Sequence, residues 1–330
     1  MATLYWTGGG NNAASNPADW IDTASGSPSG RAPRSGDTLT VNPNLGSPST
    51  SAINITGNAL AGNPLSVLWS NNLTANLSQQ APVQASVGWG RATFNVAGNS
   101  NLTVSASHAA VTVNLQNSAA HINPAYGSIT VNALGNDTIS MLPSGAAGFA
   151  TINLAAGARL TGTLSSFVHV HGDLNSVWIN NGNSTFAGPS TLDVAVGGTG
   201  TITVAAGGYP ALEFMQGVRS GQSIVDAGDI QIDQPGQFAG TVTMTATSSE
   251  IDLHNLANAD SYTFQNDMLS IWSGNTVIDR LHLHDSTPNG FAVIASPGGS
   301  SVDIIAMSDS GTLPAGRVSG GLLPLHHAMA

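Results

Sequence analysis

Cysteine is absent from the 330-residue chain, which excludes disulfides, thiolate metal sites and a cysteine nucleophile. Lysine is absent too: the basic set is seven arginines, Arg31, Arg34, Arg91, Arg159, Arg219, Arg280 and Arg317, against 18 acids. Only 8% of residues are charged, where about 25% is ordinary. Nucleic acid is held by clustered positive charge, so it is not an expected partner. The net charge of −11 is uneven, with four acids and four arginines in residues 1–165 and fourteen acids and three arginines in 166–330. Anionic lipid repels such an acidic half, and no apolar run approaches the length of a membrane span, so membrane insertion is not expected either. Met1–Trp6 lacks the basic and apolar regions of a secretory signal. That leaves a cytoplasmic chain, a processed one, or one exported by a route that reads no such signal.

What the chain has in abundance is short β-compatible runs closed by Gly, Asn, Ser or Ala. Thr38–Val41, Ile53–Ile55, Thr93–Val96, Leu102–Val104, Val111–Val113 and Ser128–Val131 are examples, and the series continues through Thr151–Leu154, Thr191–Val194 and Thr201–Val204 to Ile230–Ile232. Each alternates apolar with small polar residues, which puts one face in a core and the other in solvent. Runs recur about every eight to fourteen residues, the rhythm of all-β sandwiches, barrels and solenoids. Their brevity, their Gly, Asn and Ser connections and the lack of a recurring Asn-Gly or Asp-Gly hairpin dipeptide favour a parallel β-solenoid (β-helix) over the alternative, a β-sandwich. Low charge agrees, because like charges stacked about 4.8 Å apart repel.

No strict internal period is evident. Residues 1–45 are read as an N-terminal capping coil and 46–222 as the solenoid body, with a boundary in the glycine-rich 207–222 segment where acids begin to gather. Residues 223–310 form a C-terminal β module, and 311–330 a tail for docking or export. Helix is confined to one expected turn at Asn255–Ala259.

Two segments carry a resemblance. Tyr5-Trp6-Thr7-Gly8-Gly9, Asp19-Trp20 and Pro33-Arg34-Ser35-Gly36-Asp37 leading into Thr38–Val41 resemble the opening coil of bacterial autotransporter-type and adhesin-type β-solenoids. Asp229–Asp233, Phe238–Val242, Glu250–Leu253, Leu269–Trp272, Phe291–Val293 and Gly298-Gly299 follow an order similar to the C-terminal module of large exported alphaproteobacterial surface proteins. The resemblance implies an extracellular or cell-surface β-solenoid, exported without a recognisable N-terminal signal. It implies no activity, and the calcium-binding G-G-x-G-x-D nonapeptide is absent.

Candidate chemistry is sparse. Asp226, Asp229, Asp233, Glu250 and Asp252 have the oxygen chemistry for Ca2+ or for a carboxylate pair that cleaves sugars. Turn and solvent-face roles are the expected ones, so no cofactor is assigned, with calcium at Asp229, Asp233, Glu250 and Asp252 the alternative. His169-Val170-His171 and His282-Leu283-His284 place two imidazoles on one strand face each, at metal-ligand spacing. Serine nucleophile elbows and phosphate-cradling loops are missing.

The leading expectation is therefore a non-enzymatic extracellular protein that assembles with itself into a surface fibre, layer or biofilm matrix. Tyr5, Trp6 and Trp20 at one end, and Leu322, Leu323 and Leu325 at the other, are the assembly candidates. An adhesin or polysaccharide-binding module is the alternative, with cell-surface polysaccharide as partner, and a polysaccharide lyase or hydrolase is the second.

Overall fold

Runs that alternate Val, Ile or Leu with Thr, Asn or Ser form β-strands, and no α-helix occurs among the described residues. The computed structural model describes residues 2–8, 11–41, 50–68, 70–141, 148–165, 167–173, 175–206, 212–287, 289–296, 300–308, 310–313 and 321–324. The fold is an all-β parallel β-solenoid of about ten turns with an additional mixed sheet. Parallel pairing between successive coils excludes the β-sandwich, whose sheets are antiparallel. The chain divides into two compact units, residues 1–161 with 173–176 and residues 162–172 with 177–330.

The first unit begins with β1 (Thr3–Trp6), β2 (Trp20–Asp22), β3 (Ser27–Pro28), β4 (Thr38–Val41), β5 (Thr50–Thr56), β6 (Leu65–Val67) and β7 (Ser70–Ser78). It continues with β8 (Pro82–Ala97), β9 (Asn101–Gln116), β10 (Ala119–Asn123), β11 (Ser128–Ala133), β12 (Asn136–Met141), β13 (Phe149–Leu154) and β14 (Arg159–Thr163). One face is the parallel ladder β5, β7, β8, β9, β11, β13; another is β1, β4, β6, β8, β9, β10, β12. Strands β8 and β9 are long enough to turn a corner and serve both. Inward residues stack in columns: Ala75, Phe94, Val113, Val131 and Ile152 are register neighbours and all buried.

Outward residues stack as well. Side-chain amides of Asn54, Asn76, Asn95, Asn114, Asn132 and Asn153 form a ladder in which each Nδ2 donates to the Oδ1 of the coil before, at 2.9, 2.8, 2.7, 2.7 and 2.9 Å. An amide suits this position because it carries both a donor and an acceptor.

The first coil ends the stack with antiparallel strands. Strand β2 pairs antiparallel with β1, and β3 with β2. Trp6 and Trp20 are both fully buried, their rings edge to face at 5.1 Å, and the Trp20 Nε1–H donates to the Ala14 carbonyl. The two tryptophans therefore do not offer apolar surface for assembly, as the sequence suggested, but pack on each other; Tyr5 is half-buried. Asp37 explains the Gly36-Asp37 turn: its carboxylate accepts from Ala2 N–H at 2.9 Å, Arg34 N–H at 2.8 Å and the Arg31 guanidinium at 2.6 and 2.9 Å. The Arg31 pair, with the Arg34 and Ala2 amides behind it, holds the Asp37 carboxyl well below the usual carboxylate range.

The second unit carries β15 (Val168–Gly172), β16 (Val177–Ile179), β17 (Asn183–Phe186), β18 (Thr191–Asp193), β19 (Ala195–Gly197) and β20 (Thr201–Val204). Next come β21 (Leu212–Phe214), β22 (Ser223–Asp226), β23 (Asp229–Ile232), β24 (Thr241–Met244) and β25 (Glu250–His254). The last six are β26 (Ser261–Gln265), β27 (Met268–Ser273), β28 (Thr276–Asp285), β29 (Phe291–Ala295), β30 (Ser301–Ala306) and β31 (Gly321–Leu322). Parallel ladders join β15, β18, β21, β23 and β25, and likewise β17, β20, β22, β24 and β28.

The ladders cross residue 222 without interruption, so the coiled body extends past the boundary expected there. Gln222 itself is buried, and its Nε2 donates to the carbonyls of Asn180 and Gly197 at 2.9 and 3.0 Å while its Oε1 accepts from Asn180 Nδ2. Glycine is required beside this bracket: Gly198 has φ +101°, and a Cβ there would stand 2.3 Å from the Asn180 oxygen. The first antiparallel hairpin of this unit is β26 with β27, whose Asn266-Asp267 turn has φ of 52° and 58°, as a tight hairpin demands. The turn expected to be helical at Asn255–Ala259 instead holds Asn255 and Asn258 in the left-handed region, φ 59° and 64°.

The amide ladder makes a graded prediction. Asn114→Ala removes two inter-coil hydrogen bonds and Asn54→Ala one, so denaturant unfolding should show losses of about 2 and about 1 kcal/mol respectively. Equal losses at the two sites would mean that the rungs do not act through their hydrogen bonds.

Candidate functional site

In a strand, residues i and i+2 share a face, and in-register parallel pairing sets like positions above one another. On the first unit this rule produces an uncharged plane. Thr74, Thr93, Thr112, Thr130 and Thr151 form one outward column and the asparagine ladder the next, two residues on. The underlying triplet is Thr-x-Asn, at Thr74–Asn76, Thr93–Asn95, Thr112–Asn114, Thr130–Asn132 and Thr151–Asn153. It recurs every 18 to 21 residues, a period that the sequence contains and that a search for longer identical repeats passes over.

At the corner beside this plane stands a row of rings. Trp89 and His108 are register partners on β8 and β9 and stack at 4.5 Å, with 9° between planes; His108 and Tyr126 stack at 5.6 Å and 15°. Trp89 is 47% and Tyr126 67% exposed, so the row lies on the surface and not in the core. Because ring faces turn toward one another, the row presents ring edges to solvent. Another corner of the same unit holds a shallow groove of about 300 Å³ lined by Asn99, Asn101, Asn117, Ser118, Asn136 and Thr138.

The second unit has a plane of different chemistry. By strand parity this face carries His169 and His171 on β15, Thr191 and Asp193 on β18, Glu213 on β21, Asp229 and Gln231 on β23 with Asp233 just past it, and Glu250, Asp252 and His254 on β25; of these Asp229 and Glu250 are buried. The four acids singled out in the sequence thus share one face. Asp229 is opposite Glu250, Gln231 opposite Asp252, and His254 joins Asp233 and Asp252 at 3.1 and 2.8 Å. Gln231 Nε2 donates to Glu213 and Asp233 at 3.1 and 2.9 Å, and Thr191 Oγ1 donates to Glu213 at 3.3 Å. Among the described residues no group of three or more His, Asp or Glu has an arrangement that could hold a metal ion.

The two H-x-H pairs do not meet in one sheet: His169 and His171 stack at 6.1 Å on β15, while His282 and His284 lie on β28 in the other ladder. Leu322 is 63% exposed, and the Leu323 N–H bonds to the Val293 carbonyl, so this part of the tail folds onto its own unit. Leu325 lies outside the described residues, as do Gly298, Gly299 and the rest of the tail beyond residue 324.

Asp226 is the one acid of the series turned fully inward. Its Oδ1 accepts from Gly228 N–H at 3.0 Å, and its Oδ2 has no partner. Burial, aided by the nearby charges of Asp229 and Glu250, pushes its carboxyl up to about 8.

No family model matches the chain, and no curated protein or solved structure does. The chain has a β-solenoid fold, and no family or homologue identifies it further.

A raised carboxyl pKa fixes the sign of a pH effect. Folded Asp226 keeps its proton to about 8 whereas an unfolded aspartate loses it near 4, so its contribution to stability falls as pH rises from about 4 to about 8. Asp226→Asn should flatten that part of the melting profile and be more stable than the parent chain at the top of the window, by up to about 5 kcal/mol for four pKa units. A parallel profile in the variant would assign the slope to other groups.

Proposed function

We propose that this chain is an extracellular, non-enzymatic β-solenoid of the adhesin type that binds polysaccharide along its coils. The observation that carries the reading is the Thr-x-Asn plane of the first unit with the exposed Trp89, His108 and Tyr126 row at its corner. Sugars present hydroxyls and weakly polar C–H faces. Hydroxyl and amide side chains match the first, and the exposed edges of Trp89 and Tyr126 add apolar area beside them. A plane without charge suits a neutral polymer. A row repeated coil by coil suits a ligand that itself repeats, since each further sugar adds an equivalent contact. The extracellular placement rests on the resemblance of the opening and closing modules to exported surface solenoids.

Self-assembly end to end, the first expectation from the sequence, needs open strand edges. Antiparallel β2 and β3 lie on β1, and β30, β29 and β31 lie successively on β25, which supports a binding module over a filament. A lyase or hydrolase would act through the carboxylates of the second unit, where hydrogen bonds link Glu213 to Thr191 and Gln231, and Asp233 and Asp252 to His254.

Co-sedimentation with insoluble neutral polysaccharides, cellulose and chitin among them, tests the reading. The chain should pellet with at least one, and Trp89→Ala with Tyr126→Ala should weaken binding about tenfold at unchanged melting temperature. Binding that ignores the double variant, or no binding alongside ordered polymers by light scattering, would return the structural-filament reading to first place.

A further inference from the structure

Strand β30 runs antiparallel along the free edge of β25, and in that ladder Asp252 stands directly opposite Asp303. Opposed like charges destabilise a strand pair. The carboxylates on the elements packed around the pair make matters worse. Strand β25 adds Glu250, and β23 beyond it adds Asp229 and Asp233. Strand β29, on the far side of β30, sets Ile294 against Asp303 and has no ionisable residue. The group of opposite sign within reach is His254, engaged with both Asp252 and Asp233.

The two carboxyls face one another across the strand pair, and a proton on either of them removes the repulsion between two carboxylates. Asp252 Oδ1 is buried without a partner, so an ionised pair has little means of spreading its charge. Burial first, then the charges of Asp252 and Glu250, push the Asp303 carboxyl up to about 6. What the pair fastens is the end of the sheet: β29 pairs with β30, and β31 with β29.

We propose that Asp252 and Asp303 form a proton-dependent clasp, in which one shared proton holds the antiparallel strands β29, β30 and β31 on the last parallel strand β25. Loss of that proton to solvent leaves two opposed carboxylates and loosens these strands, while the parallel ladders beneath stay closed. The sign follows from linkage. The clasp is strongest below the ordinary carboxylate range, weakens as pH rises toward 6, and is fully weakened above it. Acid closes this end of the stack and neutral pH loosens it, uncovering the backbone edge of β25.

Hydrogen exchange on the full chain, read by mass spectrometry near pH 5 and pH 7.5 and corrected for intrinsic rates, tests the clasp. Peptides from 291–306 should lose about tenfold in protection at the higher pH, while those from 101–116 hold theirs. Asp303→Asn and Asp252→Asn each replace the shared proton with an amide donor, and each should abolish the drop; His254→Gln should retain it. Asp226 titrates in the same region but is present in all three variants, so it cannot account for a drop that two of them abolish. An unchanged 291–306 segment in the parent chain overturns the clasp, as does an equal loss across the whole chain or a drop that survives in the asparagine variants. Should one asparagine variant fail to fold, the parent profile and the other variant still decide.

Discussion

The stacked coils among the described residues are held by in-register parallel hydrogen bonding, and that single constraint dictates what their side chains can be. A residue in a strand stands a strand's spacing from its counterpart in the coils above and below. Apolar residues gain from such company, so Phe94 takes its place between Ala75 and Val113. Asparagine gains as well, because its amide donates to one neighbour and accepts from the other. A charged residue meets its own kind and loses. The stretch from Asp37 to Asp137, with no acid between them and Arg91 as its one Arg or Lys, is the compositional trace of this rule.

The second unit departs from it and shows what the departure requires. Acids enter the outward columns, but mostly beside partners that offset them: Glu213 beside Thr191 and Gln231, and Asp233 and Asp252 about His254. Where no such partner is supplied, as at Asp226 and Asp303, burial pushes the carboxyl upward. The ends of the stack are governed by the opposite concern. Parallel strands leave a row of unpaired backbone groups, and short antiparallel strands cover it, with Pro28 on the outermost of the N-terminal set where an N–H would invite further pairing.

Fold class was legible because alternation and short Gly and Asn turns are local signals that the parallel ladder does not override. The boundary near 222 was not, because composition changes there while the backbone ladder does not; Gln222 looks like loop polarity in the sequence and is a buried bracket in the fold. Trp6 and Trp20 were legible as an end of the stack but not as a buried pair, since burial depends on β2 turning back over β1. The shared face of Asp229, Asp233, Glu250 and Asp252 follows from strand parity once β23 and β25 are known to be in register. The row of Trp89, His108 and Tyr126 had no signature, for the three rings belong to a corner and not to an alternating run. The Thr-x-Asn triplet was visible throughout and needed only a period to be recognised.

That period has a genetic corollary. Deleting one residue within β9 would swap its inward and outward faces for the rest of the strand, so small length changes there are intolerable. Removing or duplicating a whole coil, 19 residues where Asn95 passes to Asn114, returns every column to itself. The protein is therefore open to lengthening and shortening by entire coils, so that the number of rungs in the stacked columns can change in steps while the chemistry of each step stays the same.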